Sequence, residues 1–103
     1  MEIKKQELDR IMEAPFGSNA YLDGKPLTIK MSLAIAANQL VQGRSPKEAV
    51  EAANLFDRIN EANGSLHLEA EEVVFLKKMA AASTAPSIYK QLHKVLESET
   101  EDP

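Results

Sequence analysis

Cysteine and tryptophan are absent from this 103-residue chain, glycine occurs four times, histidine twice, and only 5% of residues are aromatic. Without cysteine there can be no disulfide, no thiolate metal ligand and no cysteine nucleophile. No stretch approaches the ~18 consecutive apolar residues that a membrane-spanning helix needs. The opening Met1-Glu2-Ile3-Lys4-Lys5-Gln6-Glu7 lacks the apolar run of a secretory signal, so a cytoplasmic location is expected. The glycines, at 17, 24, 43 and 64, stand singly beside turn-forming residues, so no phosphate-cradling loop is present.

What is present describes a globular protein. Apolar residues make up 44% and charged residues 27%, ordinary proportions for a soluble domain, and the length suits one domain. The net charge of −4 is unevenly spread. Residues 1–44 carry six basic and five acidic side chains, whereas residues 45–103 carry six and eleven. Nucleic-acid binders concentrate Lys and Arg on one face to displace counterions from phosphates. Here the longest basic runs are the pairs Lys4-Lys5 and Lys77-Lys78, which fit the solvated sides of helices. Nucleic acid is therefore not the expected partner, and a nucleic-acid-binding regulator is the alternative reading.

Hydrophobic spacing predicts a mainly α fold of four to five helices. A loose stripe of Ile3, Leu8, Ile11 and Met12 suggests a first helix over residues 2–13, ended by Pro15 and Gly17. Asp23-Gly24 between apolar residues is a tight-turn signal and predicts a small β-hairpin near residues 20–30. Ile29, Leu33, Ala36, Ala37 and Leu40 recur at helical spacing, predicting a second helix over 29–41. This helix is apolar nearly all round, the mark of a central position in a core.

Ser45-Pro46-Lys47-Glu48 reads as a capping box with proline at the first helical position. The helix it opens should bury Ala49, Ala52, Ala53, Phe56 and Ile59. Ser65 to Leu68 alternates polar and apolar and predicts an extended segment beside Leu27–Ile29. Glu69 should open a fourth helix burying Val73, Leu76 and Ala80, widened by Phe75 and Met79. A last helix, 86–96, should bury Ile88, Leu92 and Val95, with Tyr89 and Leu96 beside them. Residues 1–97 are expected to form one helical domain, and 98–103 a disordered acidic tail.

Catalytic chemistry finds no foothold. His67 and Glu71 have the spacing of two metal ligands on one helical turn, but His67 precedes the helix and no third ligand is marked. His93 falls away from the apolar stripe of its helix, as a surface residue would. No serine or lysine has an adjacent base, which a nucleophile requires. Helix, break and helix over residues 77–96 fits the outline of a DNA-binding motif, but its second helix offers only Lys90 and Lys94. No enzyme, cofactor or metal is expected.

Tyr21-Leu22-Asp23-Gly24-Lys25-Pro26-Leu27-Thr28 is similar to the opening of small, mostly helical accessory proteins encoded by tailed phages and prophages. Leu55-Phe56-Asp57-Arg58-Ile59-Asn60 followed by Leu66-His67-Leu68-Glu69-Ala70-Glu71-Glu72 resembles their middle. Ala85-Pro86-Ser87-Ile88-Tyr89 through Val95-Leu96-Glu97 resembles their end. The motifs are turns, caps and core positions, which carry fold and no chemistry. The resemblance implies a phage or prophage origin and a role in virion assembly or host takeover.

The expected function is a non-catalytic protein-binding accessory factor, either an assembly chaperone or an inhibitor of a host protein. Its partner would be a host protein or a virion component, and self-association as a homodimer is compatible with the same surface. Met31 and Ile35 lie one turn apart on the side of their helix opposite Leu33 and Ala36, among Asn38, Gln39 and Gln42. An apolar pair ringed by polar residues is the expected binding patch. The alternative is that the N-terminal helix covers the pair through Leu8, Ile11 and Met12.

Overall fold

The computed structural model describes residues 1–98. Five α-helices and two antiparallel two-stranded ribbons confirm a mainly α fold. In chain order these are β1 (Glu2–Ile3), α1 (Lys5–Leu8), β2 (Tyr21–Leu22), β3 (Lys25–Pro26), α2 (Ile29–Ala37), α3 (Pro46–Asn60), β4 (Leu66–His67), α4 (Ala70–Ser83) and α5 (Pro86–Ser98). Of the expected tail over 98–103, Ser98 ends α5 and is helical, and residues 99–103 lie outside the described residues.

Helix α2 is the hub, packing on α1, α3, α4 and α5. It buries Ile29, Ser32, Leu33, Ala34, Ala36 and Ala37, as its nearly all-round apolar surface requires. Three alanines and a serine let neighbouring helices come close on several sides. Ser32 is its one buried polar residue, and its hydroxyl donates to the sulfur of Met12 at 2.8 Å. Thr28 caps the helix, its hydroxyl accepting the Met31 N–H at 3.2 Å. The helix is shorter than expected. Asn38 N–H closes the last turn on Ala34 and Ile35, so the chain leaves the axis before Leu40, which stands 102% exposed instead of buried.

The first predicted helix is largely replaced by pairing. Only Lys5–Leu8 is helical. Glu2 and Ile3 pair with His67 and Leu66, and the backbones of Met1 and Leu68 exchange hydrogen bonds beyond them. Further on, Met12 N–H donates to Leu27, Ala20 N–H to Met12, and Leu27 N–H to Ala20. Isolated helices of this length are marginal, so pairing that also buries Ile3, Leu8 and Met12 prevails. The same network corrects the expected partner of residues 65–68, because the Leu27–Ile29 stretch is already engaged by Arg10 and Met12.

The hairpin lies where Asp23-Gly24 placed it. Tyr21 pairs with Pro26 and Leu22 with Lys25, and Asp23 (φ 52°) and Gly24 (φ 79°) are both left-handed, as a type I′ turn demands. The capping box of α3 is also present, with Glu48 N–H on Ser45 Oγ and Ser45 N–H on Glu48 Oε1. The buried face of α3 is turned from the expected one. Ala52, Leu55 and Ile59 are buried, Phe56 is half-buried, and Ala49 and Ala53 face solvent. Leu55 wins because α2 approaches from its side of the helix, a direction that spacing along one helix leaves open.

Helix α4 buries Val73, Leu76, Met79 and Ala80, and Glu72 reaches back to the Glu69 N–H at 2.8 Å. On α5, Leu92, Val95 and Leu96 are buried while Ile88 and Tyr89 are half-buried, a small rotation from the expected face.

Candidate protein-binding surface

Each histidine is exposed and lies beside a glutamate. His67 sits exposed on β4 with its Nε2 3.5 Å from Glu69 Oε1. His93 lies on the outside of α5, tilted against Tyr89 and 3.5 Å from Glu97. Among the described residues, no three His, Asp or Glu side chains are grouped to hold a metal ion, and no helix is long and apolar enough to cross a membrane.

The five residues expected to form a binding patch lie along α2 and just past its end. Met31 and Ile35 are half-buried rather than open to solvent, and Asn38 and Gln42 are exposed. Gln39 turns its amide back to the Ile35 carbonyl at 2.9 Å, and its own carbonyl accepts from Arg44 at 3.2 Å. The Asn38 backbone and the Gln39 side chain thus finish the helix, a local structural duty that accounts for Gln39. Leu40, which the sequence assigned to the core, is the fully exposed apolar side chain of this region.

A second exposed apolar side chain escaped sequence reasoning. Phe16 lies in the 3-10 turn Pro15–Gly17 and is 106% exposed. Its φ of 69° is in the left-handed region, which costs a non-glycine residue about 1–2 kcal/mol. The turn is nonetheless held firmly at its base. Ala14 N–H donates to Ser18 at 2.6 Å, and the Gln91 side chain on α5 both accepts from Glu13 N–H and donates to Glu13 O. The neighbouring hairpin exposes Tyr21 and Leu22 as well. A readable signal existed: an aromatic between proline and glycine, with Ser18 and Asn19 following, sits in a turn too tight to deliver it to a core.

Two cavities of opposite charge also open on the described surface. One, about 370 Å³, lies among Ile3, Lys4, Arg10, Lys94 and Val95, with Glu7 paired to Arg10 at 2.6 Å. The other, about 350 Å³, is the groove between α3 and α4. Ala52, Leu55 and Phe75 supply its apolar part, and Glu48, Glu51, Glu71 and Glu72 its charge. Arg58 on α3 pairs with Glu72 on α4, and Arg44, just before α3, stacks 5.7 Å over Phe75. The Ser45 N–H and hydroxyl hold the Glu48 carboxyl below the usual glutamate value of 4.5. Burial pushes Glu72 upward, but hydrogen bonds from Arg58 and the Glu69 N–H outweigh it and leave its pKa lowered.

Fold and surface together define a small mainly α protein that leaves large apolar side chains in water on braced turns. No family model, curated protein or solved structure matches the chain.

Proposed function

We propose that the chain is a non-catalytic protein-binding accessory factor of phage or prophage origin, acting in the host cytoplasm as an assembly chaperone or as an inhibitor of a host protein. The observation that carries the binding role is Phe16. A fully exposed aromatic in a costly backbone conformation adds nothing to the core, while Gln91 and Ser18 brace the turn that presents it. Aromatic side chains, phenylalanine among them, are enriched at protein interfaces. The origin rests on the resemblance of residues 21–97 to phage-encoded accessory proteins.

The test is affinity capture from host lysate with wild-type protein and Phe16→Asn, followed by mass spectrometry. Asparagine tolerates the left-handed conformation better than phenylalanine, so the variant should unfold no earlier and should be more stable by about 0.5–1 kcal/mol. A partner held by wild type and lost by this well-folded variant supports the reading. Equal capture by both proteins, or capture by neither, overturns it.

A further inference from the structure

The connection from α3 to β4 runs through Asn63-Gly64-Ser65, and asparagine followed by glycine is a chemically labile pair as well as a turn. Asn63 and Gly64 are both exposed. Neither makes a hydrogen bond among the described residues, so the Asn63 side-chain amide and the Gly64 N–H are free of protein partners there. Nothing lies within 4 Å of the place a Cβ would take on Gly64. The flanks, by contrast, are held: Lys30 Nζ donates to the Ala62 carbonyl at 2.8 Å, and Ser65 Oγ donates to Glu2 at 2.8 Å.

We propose that Asn63 is a site of spontaneous deamidation. The Gly64 nitrogen gives its proton to water or hydroxide and attacks Asn63 Cγ. The new N–C bond closes a five-membered succinimide ring, and the side-chain nitrogen takes up a proton and leaves as ammonia. Water then opens the ring at either carbonyl. Breaking the bond to Cγ gives aspartate, whereas breaking the bond to the backbone carbon gives isoaspartate, with the chain rerouted through the side chain. Each product carries one more negative charge than the formal −4 of the chain.

The other four asparagines lack this combination. The Ala20 N–H that Asn19 would need donates to Met12 at 2.8 Å, and the Glu61 N–H that Asn60 would need donates to Asp57 at 2.9 Å. Asn54 lies inside α3, where helical bonding occupies the Leu55 N–H. Asn38 precedes Gln39, whose side chain crowds its nitrogen as a glycine would not.

The full chain is incubated at body temperature in neutral buffer beside a synthetic peptide of residues 59–68. Both are followed by peptide mass spectrometry, with fragmentation that separates aspartate from isoaspartate. Asn63 should convert first, to both products, at a rate within roughly tenfold of the free peptide, as an unprotected loop would. A more acidic form should appear on ion exchange in step with it. Gly64→Ala, at a position with open space and no left-handed φ, should stay folded by circular dichroism and slow conversion roughly tenfold or more. Asn63→Gln, which would have to close a larger ring, should be slowed as well and keeps the comparison available should the alanine variant misfold. Protection of Asn63 far beyond the peptide, earlier conversion at Asn19, Asn38, Asn54 or Asn60, or wild-type rates in both variants would overturn the proposal. The chemistry needs only water, so its outcome is independent of whether Phe16 captures a partner.

Discussion

Residues 1–28 hold a single α-helical turn and one local hairpin and are otherwise tied to partners distant in the chain, whereas residues 29–98 are dominated by four helices that each open on a local signal. In the helical part, Thr28, the Ser45–Glu48 box, the Glu69–Glu72 pair and Pro86 satisfy or dispense with the orphan amides of their own first turns. In the arm, Ile3 needs Leu66, Met12 needs Leu27, and Glu13 needs Gln91. The difference is one of sequence separation. A cap finds its partner three residues away, whereas Ile3 and Glu13 pair with residues far along the chain, Glu13 with Gln91 at a separation of 78. Yet the arm is not a decoration on a finished core, since Ile3, Leu8 and Met12 are as buried as anything in α2.

That equality can be broken most sharply at Met12. Its thioether is wholly buried and accepts from the Ser32 hydroxyl. Met12→Ala should cost about 2–5 kcal/mol in urea denaturation and leave Ser32 without a partner as well. A loss under about 1 kcal/mol would show that the arm merely rests on a helical unit stable without it.

A smaller effect tests the orientation of α3. Leu55→Ala should cost about 2–5 kcal/mol because Leu55 is buried against the core, and Phe56→Ala should cost less because half its ring is already in water. The reverse order of denaturation midpoints would return α3 to the face that spacing alone suggested.

The smallest effects belong to the local signals. Ser45→Ala should cost roughly 1 kcal/mol near neutral pH through the lost cap bond, and unaltered stability would place the helix start elsewhere. The pH dependence has a definite sign. Glu48, Glu72 and Glu97 all have pKa values lowered by folding, Glu97 chiefly by its hydrogen bond from Lys77. Their stabilisation is present above the ordinary value of 4.5 and is lost as pH falls through the lowered ones. Glu48→Gln should therefore be less stable than wild type at pH 7 and converge on it in acid, as followed by thermal melts at several pH values.

The candidate surface was less legible than the fold. Spacing on an ideal helix left Met31 and Ile35 either open or covered by the N-terminal segment and put Leu40 in the core, but α2 stops at Ala37 and Leu40 lies beyond its wheel. Phe16 carried its signal in the tight turn around it, while the groove carried none. Glu51 and Glu71 come to line one groove only because α3 and α4 pack on the same helix.

By itself the sequence determined the mainly α class, the type I′ hairpin, the capped start of α3 and the buried stripe of α4, because each depends on residues within one or two turns of each other. Tertiary structure decided that β1 joins β4 and that Leu55 rather than Phe56 leads the buried face of α3. Those outcomes depend on which elements meet. Local periodicity records that a face is apolar; only packing against α2 decides which neighbour covers it and which side chains remain uncovered.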